Sequence, residues 1–139
     1  MLTMLRTRLF LLHPLIWVHH MPILHRLALL AALALVAGLF IGGAQPIAVG
    51  LLPVPWDKVA HTTVFAAIAF LLASARVREH RGWLVASVLL ATAVGGADEI
   101  HQYFLPGRSC DWADFAADAL GGTLGGILYV LLARVWRLE

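Results

Sequence analysis

Along the chain, polar and proline-bearing breaks divide the apolar positions into four long runs, at about Leu27 to Ala44, Asp57 to Ala75, Trp83 to Phe104 and Trp112 to Val135. Each run is close to the ~20 residues an α-helix needs to cross the hydrocarbon core of a bilayer. Gln45-Pro46 closes the first, because proline lacks the amide that continues a helix and its ring crowds the turn before it. The pattern predicts an all-α integral membrane bundle of four transmembrane helices.

Composition agrees. Of 139 residues, 61% are hydrophobic and 13% charged, whereas soluble domains carry roughly 25% charged residues. The length accommodates one domain, residues 27–139, preceded by an N-terminal segment, residues 1–26. That segment is apolar but interrupted by Arg6, Arg8, Arg26 and the histidines at 13, 19, 20 and 25, and reads as an extension or an interfacial helix. Met21-Pro22-Ile23 directly precedes the first span and is an alternative translation start to Met1. The histidines lack the acidic or cysteine partners that would favour a metal cluster. No small-x-small site in a polar region follows the first span, which therefore reads as retained rather than cleaved.

The net charge of +2 and the sequence pI near 9.2 come from arginines flanking spans. Arg6, Arg8 and Arg26 precede the first, Arg76, Arg78 and Arg81 separate the second from the third, and Arg134 and Arg137 follow the fourth. The bias of Lys and Arg toward cytoplasmic loops puts both termini and the 76–82 loop inside, and the ends bearing Asp57 and Arg108 outside. Dispersed in this way, the arginines form no broad basic face for nucleic acid. Cys110 is the sole cysteine, so no intramolecular disulfide is available.

The chemistry is concentrated at the outward end. Asp57, Lys58 and His61 open the second span, Asp98, Glu99 and Gln102 close the third, and Asp111, Asp114 and Asp118 open the fourth. Residues three or four apart share a helix face, which aligns Asp57 with His61, Asp98 with Gln102, and Asp111 with Asp114 and Asp118. Six carboxylates, at 57, 98, 99, 111, 114 and 118, meet two fixed cations, Lys58 and Arg108, a formal deficit of four positive charges. Ionisable groups in a span mark a functional site or a watered cavity, and burial of unpaired ions demands protons, water, a bound cation or a cationic ligand.

A salt-bridge lattice pinning helix ends is the plainer reading of part of this set. Asp57 can cap the second helix, and Asp111 or Asp114 the fourth. Asp98 and Glu99 resist it, because negative charge near a helix C-terminus is disfavoured. Arg108, presented by a Pro106-Gly107 turn, suits a phosphate or carboxylate, with snorkelling or a salt bridge as the alternative. His101 has no evident task. Trp56, Trp83, Trp112 and Trp136 fall at span ends as interfacial anchors. Gly121, Gly122, Gly125 and Gly126, with Gly95 and Gly96, permit close helix contact, inside one bundle or between two copies of the chain.

From Pro55 to Gly126 these residues resemble the VanZ-like family of small bacterial membrane proteins. The resemblance is carried by Asp57-Lys58 with His61 and Phe65, then Asp98-Glu99 with Gln102, Phe104, Pro106, Gly107 and Arg108, then Asp114, Asp118 and Gly121. The family commonly has Asn where this chain has Asp118, an exchange of an amide for an acid. The resemblance implies a multi-span bundle in the bacterial cytoplasmic membrane and a connection to teicoplanin and other glycopeptides.

Two functions follow as expectations. In the first, Asp57, Lys58, His61, Asp98, Glu99, Gln102, Arg108, Asp114 and Asp118 form an outward polar pocket for a membrane lipid, an envelope precursor or an amphiphilic drug. In the second, the chain is a membrane enzyme acting on a lipid-linked phosphate or ester. There, His61, Asp98 or Glu99 exchanges protons, while Asp98, Asp114 and Asp118 hold Mg²⁺ or another divalent cation. The absence of a serine-nucleophile motif and of a glycine-rich phosphate loop weighs against the second. Four spans without an evident inverted repeat give little framework for alternating access.

Overall fold

A computed structural model describes the backbone of residues 2–75 and 81–136, and side chains from Ile23 onward except those of Arg81 and Trp136. The order is α1 (Leu2–Gly43), a 3-10 turn (Pro46–Ala48), α2 (Trp56–Ser74), α3 (Arg81–Tyr103) and α4 (Trp112–Trp136). Within these, Ile23–Gly43, Trp56–Ser74, Gly82–Tyr103 and Trp112–Val135 are long and apolar enough to cross a membrane. The four expected spans therefore appear, each within a few residues of the expected limits. The side chains that bear on an interfacial segment, including the histidines at 13, 19 and 20, lie outside those described, as do Arg76, Arg78 and Arg137.

Local chemistry sets the helix ends. Gly42 and Gly43 close α1 ahead of Pro46, whose ring opens the 3-10 turn. Leu105-Pro106-Gly107 turns the chain after α3, with Gly107 at φ +75°, a left-handed conformation that costs glycine little. Asp111 precedes α4, and its Oδ1 accepts the amide of Ala113 at 2.8 Å, the expected N-cap. The cap expected of Asp57 is different in form. Pro55 holds the N-cap position of α2, and Asp57 sits in the first turn, where its Oδ1 accepts the amide of Lys58 at 2.8 Å.

The bundle is built around α2 and α4, which make its most extensive contact. Two glycine rows on α4 explain how both neighbours come close. Gly121 and Gly125 face α2, where a side chain on either would run into the carbonyl oxygens of Thr62 and Ala66; Gly126 meets Val88 of α3, and Gly122 the same helix at Val88, Ala91 and Thr92. Small residues at four-residue spacing let backbones approach in a membrane, where lipid offers no hydrophobic drive for helix association. The centre is filled by Phe65, Ile68, Ala69 and Ala91, with Leu35, Val36, Leu39, Val64, Leu72 and Val94 packed around them. Leu24, Leu27, Leu30, Leu33 and Ile41 of α1 are exposed, as lipid-facing positions should be.

The two ends of the bundle differ in chemistry. At one, the C-terminal ends of α1 and α3 meet the N-terminal ends of α2 and α4, bringing the acidic residues together. At the other, a ring N–H at Nδ1 of His25 donates to the carbonyl of Ser74. Trp83 Nε1 donates to the carbonyl of Leu72 at 2.9 Å, so this tryptophan ties α3 to α2 and is more than an interfacial anchor. Trp56 and Trp112 are exposed, consistent with anchoring.

Candidate functional site

At the polar end the charged residues form two tiers. The outer tier is centred on Lys58, whose Nζ lies 3.2 Å from Asp57 Oδ2, 2.8 Å from Asp111 Oδ2 and 2.6 Å from Asp114 Oδ1. One ammonium thus draws the start of α2 to the start of α4. The Lys58 ammonium also holds the Asp111 carboxyl below the ordinary carboxylate range, helped by the Ala113 amide. Asp111 reaches inward as well, its own amide donating to Glu99 Oε2 at 2.7 Å.

The inner tier is buried. His61 Nδ1 and Asp118 Oδ1 are 2.8 Å apart, and Asp118 is fully enclosed. Because a carboxylate oxygen accepts, Nδ1 carries the hydrogen in this pair and Nε2 remains for other partners. Gln102 Nε2 donates to Asp98 Oδ2 at 2.8 Å, one turn along α3, as the spacing predicts. Asp98, Glu99 and Gln102 are all buried. One oxygen of each inner acid, namely Asp98 Oδ1, Glu99 Oε1 and Asp118 Oδ2, is buried with no hydrogen-bond partner among the described residues. Buried carboxylates left in this state are costly, and native proteins keep few such groups without a functional or ligand-related reason.

Asp118 occupies space that Gly95 leaves open. A Cβ at Gly95 would lie 2.6 Å from Asp118 Oδ2 and 2.7 Å from its Cβ, whereas one at Gly96 would only touch the Phe115 ring at 3.4 Å. When ionised this acid can only accept, so its second oxygen can take no backbone carbonyl as a partner.

A cavity of about 400 Å³ opens beside both tiers. Its polar wall carries His61, Gln102 and Arg108 with Asp57, Asp111 and Asp114, and its apolar wall includes Leu39, Leu51, Leu52 and Val64. Arg108 is half-buried, donates from Nη2 to the carbonyl of Gly43 at 3.1 Å, and leaves Nε buried without a partner among the described residues. It makes no ion pair among the described residues, so the lattice expected from Lys58 and Arg108 rests on Lys58 alone. His101, read as incidental, packs its ring 5.2 Å from that of Phe40 and helps seat α1.

Of the expected pocket residues, Asp57, His61, Gln102, Arg108 and Asp114 line the cavity, while Lys58, Asp98, Glu99 and Asp118 do not. Asp98, Asp114 and Asp118, expected together around a cation, divide between different partners. Asp114 bonds to Lys58 and Asp98 to Gln102. The group that converges instead is His61, Glu99 and Asp118. Asp111 as the link between tiers was not foreseen, though its place just before the last apolar run had marked it as a cap.

Fold and site together define a multi-pass membrane protein with a buried polar centre at one end of a four-helix bundle. A family model described as VanZ/LLP1 matches residues 2–133, and the chain belongs to that family. No curated protein and no solved structure matches it.

Proposed function

We propose that the chain is a bacterial cytoplasmic-membrane protein that binds the head group of a membrane amphiphile, a lipid or lipid-linked envelope precursor, in an outward-facing cavity. The observation that carries this is the two-sided wall. Leu39, Leu51, Leu52 and Val64 offer an acyl-compatible surface against His61, Gln102 and Arg108. Arg108 has a planar fork suited to a phosphate, and its Nε has no partner among the described residues. The carboxylates of Asp57, Asp111 and Asp114 beside it suit amino or hydroxyl groups on the same ligand. The outward orientation is supported by Arg81 and Arg134, which lie at the ends of α3 and α4 away from the cavity, as Lys and Arg favour the cytoplasmic side. An amphiphilic glycopeptide meets the same description, and a contribution to teicoplanin resistance is the cellular form of this reading.

A second reading is favoured by the His61–Asp118 pair. An acid that fixes the imidazole tautomer leaves Nε2 able to move a proton, which suits hydrolysis or transfer at a lipid-linked phosphate or ester. Native mass spectrometry of the detergent-solubilised chain with phospholipids and a polyprenyl phosphate tests both. Lipid retention should fall about ten-fold in Arg108→Ala, a loss of roughly 1.4 kcal/mol. Equal retention by wild type, Arg108→Ala and His61→Ala would count against the head-group reading. Conversion of the bound lipid, lost in His61→Ala, would promote the enzyme.

A further inference from the structure

Beneath the cavity, three helices bring a nitrogen and two carboxylates to one point. A ring nitrogen of His61 on α2, an oxygen of Glu99 on α3 and an oxygen of Asp118 on α4 all lie within 4.8 Å of one another. Glu99 is 3% exposed and Asp118 is 0% exposed. Each uses one oxygen, Glu99 on the amide of Asp111 and Asp118 on His61, and keeps the other buried without a partner among the described residues. The fixed cations do not reach them, since Lys58 holds Asp57, Asp111 and Asp114, and Arg108 donates to the carbonyl of Gly43. A proton shared by His61 and Asp118 would neutralise one charge and leave Glu99 Oε1 as it is.

We infer that His61, Glu99 and Asp118 form a binding site for a divalent transition-metal cation. An imidazole with two carboxylates suits Zn²⁺ or Mn²⁺ better than Mg²⁺, which prefers oxygen ligands and retained water. Three protein ligands leave positions open, and because His61 also lines the cavity, those positions can face a ligand there. The absence of a side chain at Gly95 preserves the room in which Asp118 sits. Asp98 stays in the second rank, with Gln102 holding one of its oxygens. Asp114 is excluded by its bond to Lys58.

Metal binding is measurable on the chain alone, in detergent, stripped with chelator and carrying no polyhistidine tag. No lipid enters the experiment, so its failure would leave the head-group reading standing. Equilibrium dialysis against Zn²⁺ and Mn²⁺ with elemental analysis should give one tight equivalent per chain. Affinity should drop at least ~10-fold in Glu99→Gln and in Asp118→Asn, and remain in Asp114→Asn and in a variant with the histidines at 13, 19 and 20 replaced by alanine. Electron spin-echo spectra of bound Mn²⁺ should carry the modulation of an imidazole nitrogen, a readout on wild-type protein that stands even where an acidic variant does not fold. A folded wild type that binds neither ion would overturn the site, as would binding that disappears with the N-terminal histidines or spectra without imidazole nitrogen.

Discussion

Lys58 and His61 stand three residues apart on α2 and each meets an aspartate of α4, Asp114 and Asp118 in turn, yet their surroundings differ. Around Lys58, one ammonium serves three carboxylates that keep between 14% and 46% of their side-chain exposure, so water and Lys58 together satisfy them. Around His61, one imidazole meets a fully enclosed Asp118, with Asp98 and Glu99 buried beside it and an oxygen on each acid unpartnered among the described residues. The same side-chain type therefore has opposite meanings one helical turn apart. Near the surface an acid is cheap, and its pairing fastens helix ends; below it, an unpartnered oxygen costs stability and is kept for a ligand, a proton or a cation.

The largest effect that would sharpen this contrast is expected at Gly95. Gly95→Ala brings a Cβ against the Cβ of Asp118, which cannot swing away as a side-chain tip can. Overpacking of this kind should cost about 2 kcal/mol, read as a lowered thermal or detergent-unfolding midpoint. Gly96→Ala, which meets only the Phe115 ring at 3.4 Å, should change the midpoint much less. Equal behaviour of the two variants would mean that the inner tier is not tightly enclosed.

A smaller effect is expected in the outer tier. Lys58→Met leaves Asp57, Asp111 and Asp114 facing one another, and with their partial exposure the loss should be about 1 kcal/mol. Salt should narrow the gap between wild type and this variant, because it screens partly exposed charges. A loss much larger than at Gly95, or one indifferent to salt, would break the distinction between tiers.

The smallest effect concerns acid. Lys58 holds the Asp111 carboxyl below its ordinary range, so this pair contributes stability above the unfolded-state value and loses it as pH falls through the lower folded-state value, below about pH 4. Unfolding midpoints from pH 5 to 3 should decline less in Lys58→Met than in wild type. Identical declines would show that Asp111 gains nothing from the lysine.

Much of this arrangement was legible beforehand because a bilayer restricts what a chain can do. Four apolar runs of span length admit helices, and each helix carries its polar residues at spacings that put them on one face. Thus Asp98 with Gln102, the cap by Asp111 and the role of glycine on α4 follow from local rules. Apart from Asp57, which sits inside the first turn of α2 behind Pro55, the departures are non-local. Arg108 turns to the carbonyl of Gly43 on α1, Asp111 donates to Glu99, and Asp114 is taken up by Lys58. None of these pairings has a sequence spacing that could announce it.

By itself the sequence determined the helices, their ends and the single end at which the acids gather, since hydropathy and helical period act within one segment. Tertiary structure alone decided depth and partner. Whether an aspartate is solvated beside Lys58 or enclosed beside His61 depends on how closely Gly95, Gly121 and Gly125 let three backbones approach, and the energy of a charge depends on the water that approach leaves around it.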